Sequence, residues 1–465
     1  MKTGGQSVES PDAKRSRYFV MVVAATAALA GLLFGFDTGV ISGAILFIKD
    51  QFRLTPFTEE LLVSSALVGA VCGAAVSGRF SDRLGRKRTI FITAGIFVGA
   101  SILCAIASNI PALIAGRVAI GVAIGIASYS APLYISEMAP ANLRGGLVTL
   151  NQLAITVGIL LAYVVDAAFA SSGGWRFMFA FGAVPALILD LGISVLPESP
   201  HWLLLHQRRE AALKVLVRIR GTTDIAAEIN DIVEHAETKR GKLSDLFSPV
   251  VLPVLFCGVA LAIIQQITGI NTVIYYAPTI FQVAGFHSAQ SSIIATASVG
   301  LVNVFMTVVS IRLIDRLGRR PLLLTSLGGM ALSLAALSIG FAMGGEALKW
   351  IGLISLAVYI ASFAIGLGPV FWLLIAEIFP LAIRGQAASV ATMANWLSNF
   401  VVSLTFLSLL TGLGSVYTFL LYAALAALGV LFCLRFVPET KGVPLELIER
   451  DLRAGRPLRL LGRVD

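Results

Sequence analysis

The pentapeptide Asp82-Arg83-Leu84-Gly85-Arg86 recurs unchanged as Asp315-Arg316-Leu317-Gly318-Arg319, 233 residues further along a chain of 465. Two more pairs keep nearly the same offset. Glu137-Met138-Ala139-Pro140, leading to Arg144, answers Glu377-Ile378-Phe379-Pro380, leading to Arg384, at 240. Pro197-Glu198-Ser199 answers Pro438-Glu439-Thr440 at 241. Half the chain therefore repeats the other half, and the fold must be built from two related units with charged motifs at matching loops.

Between those motifs the chain is apolar. Hydrophobic residues make up 57% of it, charged residues 13%, and the mean hydropathy is +0.88, values that exclude a soluble domain. A bilayer-spanning helix needs about 20 apolar residues. Such runs lie near 19–48, 60–80, 89–108, 112–136, 146–170 and 175–196, and again near 250–282, 290–313, 321–344, 349–376, 386–411 and 415–437. The predicted fold is all-α integral membrane: twelve transmembrane helices as two pseudo-symmetric six-helix bundles. Its parts are a tail 1–18, a bundle 19–196, a linker 197–248, a bundle 249–437 and a tail 438–465.

Lys and Arg divide unevenly between the loops. With both termini cytoplasmic, that side holds 30 of the 35, and the other keeps only Lys49, Arg53, Arg176 and Lys349, with Arg117 inside a span. The positive-inside rule fixes both tails and the linker in the cytoplasm. This bias and anionic headgroups account for the net charge of +9, so no nucleic-acid partner is expected. The linker and the tail alternate charge with short apolar periods, at 211–218, 226–233 and 445–452, as short amphipathic helices lying on a membrane do. The first 18 residues are polar, and the span after them is too long for a cleaved signal peptide. Cys72, Cys104, Cys257 and Cys433 sit in apolar runs without paired spacing, and the four histidines are not at ligand spacing, so neither disulfide nor metal is expected.

Glycines in span one recur at 31, 35, 39 and 43, a face on which a neighbouring helix can approach closely. Asp37 lies about 200° around the helix from Gly35, with Phe34 about 60° from it. Both are expected to face an interior cavity. A carboxylate at bilayer depth normally has a partner or a function, and Arg117 in span four is the only cation placed deep in either half. Burial favours the neutral carboxyl and a cation beside it the charged one. A pair that alternately forms and breaks would release and take up a proton; a permanent structural ion pair is the alternative. Asp166 is expected at an interface near the outer end of span five, and Asp190 against a polar neighbour or water in span six.

Polar residues run at helical spacing in three spans: Thr149, Gln152, Thr156 and Tyr163 in span five; Thr296, Asn303, Thr307 and Ser310 in span eight; Thr392, Asn395, Asn399 and Ser403 in span eleven. Hydrogen bonding between helices explains any one of these; three together suggest a wet cavity. Span seven adds Gln265, Gln266, Asn271 and Tyr275, interrupted by Gly269 and Pro278. Each amide both donates and accepts, as a midplane site for a neutral polyhydroxylated molecule needs. Trp372, after Gly366, Gly368 and Pro369, offers either a stacking face or core packing.

Gly85 and Gly318 permit tight turns. Around them, Asp82, Arg86, Glu137, Arg144 and Glu198 in one half match Asp315, Arg319, Glu377, Arg384 and Glu439 in the other. Opposite charges gathered at one face of both halves are read as a latch, a cytoplasmic gate; capping of turns within each half is the alternative.

Taken jointly, these motifs resemble the sugar porters of the major facilitator superfamily. The likeness covers residues 18 to about 460. It rests on Gly35-Phe36-Asp37, both Asp-Arg-Leu-Gly-Arg turns, Pro197-Glu198-Ser199-Pro200, Gln265-Gln266 with Gly269-Ile270-Asn271, Gly368-Pro369-Val370-Phe371-Trp372 and Pro438-Glu439-Thr440-Lys441-Gly442. The resemblance implies two bundles around a central sugar site exposed alternately to either side, with Asp37 as proton carrier and Arg117 as its partner. It assigns sugar contacts to Gln152, Gln265, Gln266, Asn271, Asn303, Trp372 and Asn395, with Phe34 and Tyr275 as lining. His201 departs from the family's Arg, Gly182 replaces a carboxylate of a xylose-carrying member, and Asn395 matches the hexose carriers.

The expected function is import of a neutral hexose, galactose or glucose, with a proton, through a bacterial inner membrane. The expected partners are a monosaccharide, a proton and the lipid bilayer, with the proton as coupling ion, no other cofactor, no enzymatic activity, and a monomeric protein. The alternatives are a passive sugar facilitator, a symporter for a pentose or polyol such as xylose or inositol, a sugar sensor, and a proton-driven drug exporter.

Overall fold

The computed structural model describes residues 11–140, 143–222, 224–226, 228–230, 232, 243–380 and 383–462, without the side chains of a few of them, among which are Arg144 and Asp315. Twelve helical spans among the described residues are long and apolar enough to cross a membrane. Span one runs over Pro11–Phe52, span two Pro56–Leu84, span three Arg86–Ile106, span four Ile110–Met138 and span five Arg144–Ala170. Span six is two pieces, Trp175–Phe181 and Ala183–Ser194. In the second half span seven is Leu252–Ile267 continued by Ile270–Val283, span eight Ala289–Leu317, span nine Arg319–Met343 and span ten Ala347–Ile365 continued by Leu367–Ile378. Spans eleven and twelve are Arg384–Gly412 and Gly414–Phe436.

Span seven breaks where Gly269 adopts φ +89°, a left-handed conformation that glycine takes without steric cost. Pro278 stays inside the second piece. The break in span ten, at Gly366, is a feature that the sequence reading does not anticipate. Short helices Pro200–Leu205 and Arg209–Arg220 follow the first half, and Leu445–Arg453 follows the second, its Ile448 and Leu452 buried. Of the expected helix at 226–233, the described residues 226, 228–230 and 232 are helical, and 227, 231 and 233 lie outside the described residues.

The glycine stripe of span one meets span five. A Cβ on Gly31, Gly35, Gly39 or Gly43 would collide with Asn151, Ile155, Ile159 with Ala162, or Asp166 respectively. Spans two and four interlock in the same way, Gly69 and Gly73 against Val118 and Val122, Gly121 and Gly125 against Ala66 and Ala70. Small residues let helix backbones touch where lipid tails supply no hydrophobic drive. The second half has no comparable run among the described residues.

The halves meet through spans two and eleven, five and eight, and one and seven. Polar contacts between them include Glu60 with Ser408 and Tyr163 with Ile274, toward the end away from the repeated turns, and Tyr275 with Thr38. A separate apolar cluster of Leu46, Ala170 and Ile293 closes the same end. At the turn end, no neighbour crowds Gly145, Gly146 or Gly385. The described polar contacts thus join the halves away from the turn end.

Candidate sugar and proton site

Asp37 and Arg117 form an ion pair between spans one and four, with residue exposures of 4% and 1%. Arg117 Nη2 also donates to the Val63 carbonyl at 3.3 Å. The expected pairing is therefore present, with both members buried in this conformation. A carboxylate held by one guanidinium in apolar surroundings keeps its charge only while that partner stays. Displacing Arg117 would leave protonation as the cheapest way to keep the carboxyl buried.

The amides of span seven form a connected network. Gln265 Nε2 donates to the carbonyls of Leu367 and Gly368 at 3.0 and 3.3 Å, and its Oε1 accepts from Asn395 Nδ2 at 2.7 Å. Gln266 Nε2 donates to Asn395 Oδ1 at 3.1 Å, while its Oε1 accepts from Asn271 Nδ2 at 2.8 Å. Broken helices make this possible: the kink at Gly366 turns the carbonyls of Leu367 and Gly368 toward span seven, and Ser326 Oγ accepts the Leu367 N–H at 3.0 Å. Spans seven, ten and eleven thus meet at four amide side chains, each holding donors and acceptors that a ligand hydroxyl can exchange for.

Tyr275, buried, places its hydroxyl beside Asn399 and Thr38, joining span seven to span one. The Phe34 ring lies 5.4 Å from that of Trp396, also across the halves. Asn303 is buried in span eight, Gln152 is half-buried in span five, and Trp372 is 40% exposed with Phe371 edge-on at 4.8 Å. No hydrogen bond among the described residues ties Gln152, Asn303 or Trp372 to the amide network.

The repeated turns carry two copies of one network. Arg86 Nη2 contacts Glu137 at 3.0 Å and its Nη1 contacts Asp82 at 3.3 Å; Glu137 also accepts from Ser199 Oγ, and Glu198 from the Lys87 N–H at 3.0 Å. In the other half Arg319 Nη2 contacts Glu377 at 2.7 Å, Glu377 accepts from Thr440 Oγ1, and Glu439 accepts the N–H groups of Arg319 and Arg320 at 3.0 and 3.1 Å. Arg384 Nε donates to the Phe379 carbonyl at 3.3 Å. These described contacts each lie within one half. These contacts fit the capping alternative; a latch between halves would need contacts that they do not include. The Arg144 and Asp315 side chains lie outside the described residues.

Asp166 corrects another expectation. It is fully buried, not interfacial, and its Oδ2 accepts the Gly43 N–H at 3.2 Å. Asp190 is partly exposed. Sequence reasoning passes over Trp396, which adjoins Asn395, and gives no separate role to Ser199 and Thr440, the third residues of the repeated Pro-Glu-Ser/Thr motif.

A profile described as "Sugar (and other) transporter" matches residues 23–452. A putative metabolite transport protein of Bacillus subtilis is 46% identical over 92% of this chain and 93% of its own length. The galactose-proton symporter of Escherichia coli K12 is 42% identical over 98% of this chain and 100% of its own. The partially occluded, inward-open structure of the E. coli xylose transporter superposes with a TM-score of 0.82 at 34% identity, covering 92% of this chain and all of that one. The fold, the repeated turns and these likenesses converge: the chain belongs to the sugar transporter family, as a sugar porter of the major facilitator superfamily.

Proposed function

We propose that this protein is a symporter that carries a neutral hexose, galactose or glucose, together with a proton, inward across a bacterial inner membrane. The observation that carries the reading is the buried Asp37–Arg117 pair in a half whose span one also faces the amide-bearing span seven. The relative named as a galactose-proton symporter supports both the sugar and the coupling ion. Asp37 is the proton carrier and Arg117 its counter-charge. Gln265, Gln266, Asn271 and Asn395 bind the sugar hydroxyls, Gln152 and Asn303 complete the site from spans five and eight, and Phe34, Tyr275 and Trp372 line it.

Two moving units, residues 19–196 and 249–437, rock about the site while the linker 197–248 joins them. Both tails and the repeated turns face the cytoplasm, supported by the 30 basic residues assigned to that side. In this reading the present conformation is inward-facing. The charged clusters keep each half rigid here and approach one another when the cycle turns outward, where Asp82, Arg86, Glu137, Arg144 and Glu198 meet their counterparts in the other half. The cycle begins with Asp37 protonated and the outer face open. Sugar replaces amide–amide bonds with amide–hydroxyl bonds, the halves rock, and sugar then proton leave inside. The protein works as a monomer with no cofactor beyond the proton.

The test is purified protein in weakly buffered vesicles. Added galactose or glucose should alkalinise the outer medium, and preloaded hexose should drive counterflow. Counterflow without alkalinisation identifies a passive facilitator; neither, with xylose or inositol active instead, moves the substrate to a pentose or polyol.

A further inference from the structure

Closure at the end away from the repeated turns rests on contacts that the duplication does not repeat. Pro278 in span seven has no N–H, so the Ile274 carbonyl, four residues earlier, loses its intrahelical donor. The Tyr163 hydroxyl supplies that donor from the other half, at 3.1 Å. Tyr163 is buried, and its ring lies over Gly300 of span eight, where a Cβ would come within 2.8 Å of it. At the interface of spans two and eleven, Glu60 is fully buried and accepts both the backbone N–H and the hydroxyl of Ser408, each at 2.7 Å.

The repeat offsets show that these contacts are singular. At an offset of 233 Glu60 corresponds to Ile293, which belongs to the apolar cluster with Leu46 and Ala170. At 240 Tyr163 corresponds to Ser403, which bonds Asn399 within its own helix. Each contact joins a buried polar group of the first half to a backbone group of the second. Parting the halves at this end would leave the carboxylate and the proline-orphaned carbonyl without these partners, to be satisfied only by entering water.

We propose that Tyr163 and Glu60 are the positioning residues of an outer gate, holding the outer ends of the two halves together through the Ile274 carbonyl and Ser408. They thereby set the fraction of time for which the sugar site is open to the outside. The inference rests on the symport reading only for which side is outside. It makes Pro278 part of the gate, since span seven needs Tyr163 only because it lacks one N–H.

The test uses the full chain with Cys72, Cys104, Cys257 and Cys433 changed to Ser. Leu46→Cys reports the outer end and Thr149→Cys the turn end, each labelled by a membrane-impermeant maleimide from its own side. Tyr163→Phe should raise Leu46→Cys labelling about fivefold, the population change expected for one lost hydrogen bond. Glu60→Ala, which loses two, should raise it further, and each should lower Thr149→Cys labelling. In a Pro278→Ala background, where span seven has its own donor, Tyr163→Phe should add nothing while Glu60→Ala keeps its effect. Unchanged outer labelling, or a rise at both ends as general loosening gives, would overturn the gate. Hexose counterflow by the unsubstituted protein is measured alongside; its absence strikes the symport reading, whereas the gate stands or falls on the labelling alone.

Discussion

The Glu198 carboxylate occupies the space that a side chain on Gly85 would need, and Glu439 stands in the same relation to Gly318. Gly85 has φ +94° and ψ 160°, Gly318 φ +96° and ψ 170°, a region that essentially only glycine enters. Gly85→Ala and Gly318→Ala should each destabilise the protein by roughly 1–3 kcal/mol from backbone strain alone, and more from displacement of the carboxylate. Thermal unfolding in detergent, followed by tryptophan fluorescence, checks this. An unchanged midpoint for both variants would mean the turns are not held as described.

Arg86 and Arg319 should differ in what their loss costs. The side chains of the Arg86–Glu137 pair are 7% and 10% exposed, those of Arg319–Glu377 11% and 21%. Stripping one partner from a buried pair costs about 3–5 kcal/mol, because the other charge stays unpaired. Arg86→Ala should therefore lower stability more than Arg319→Ala, and Arg86→Met with Glu137→Leu should recover most of the loss. The same unfolding measurement decides it, and equal losses would contradict the burial argument.

Asp37→Asn should separate coupling from transport. The amide cannot carry a proton, so a proton gradient should no longer drive hexose accumulation, and the ratio of internal to external sugar should fall to about one. Counterflow at equal concentrations should persist. Accumulation that survives the change would remove Asp37 from the coupling step.

Gln265 and Asn395 hold one another, so their substitutions should not add. Gln265→Ala or Asn395→Ala leaves buried amide or carbonyl groups unpaired, at about 1–3 kcal/mol, or roughly a 5- to 150-fold loss of apparent hexose affinity. The double variant should lose little more than the worse single one, since residues in one hydrogen-bond network couple. Inhibition constants from competitive counterflow give the comparison; simple additivity would show that the two residues act apart.

The spans are legible in the sequence because twenty apolar residues have few other uses, and the turns because a repeated pentapeptide marks them. The Asp37–Arg117 pair is legible because no other cation lies at depth. Partnerships are harder. Helical spacing places a residue on a face, but which amides touch depends on how neighbouring helices are rotated, so Gln265 and Asn395 can be named without their bond. Asp166 reads as interfacial because its position along the span says nothing of Gly43 opposite it. Trp396 lies about 100° around the helix from Asn395, so the polar stripe does not point to it, and Gly366 reads as one more small residue until its backbone shows the break in span ten.

Close-packed backbone leaves little to compress. With spans one and five, and two and four, zipped glycine to carbonyl along their lengths, the first half has few internal degrees of freedom to absorb a push. The second half, interrupted at Gly269 and Gly366 against a single break at Gly182 in the first, keeps more of them. A push at the amide cluster would therefore be taken up mainly by the second half, and two copies of one repeated unit have come to differ in stiffness.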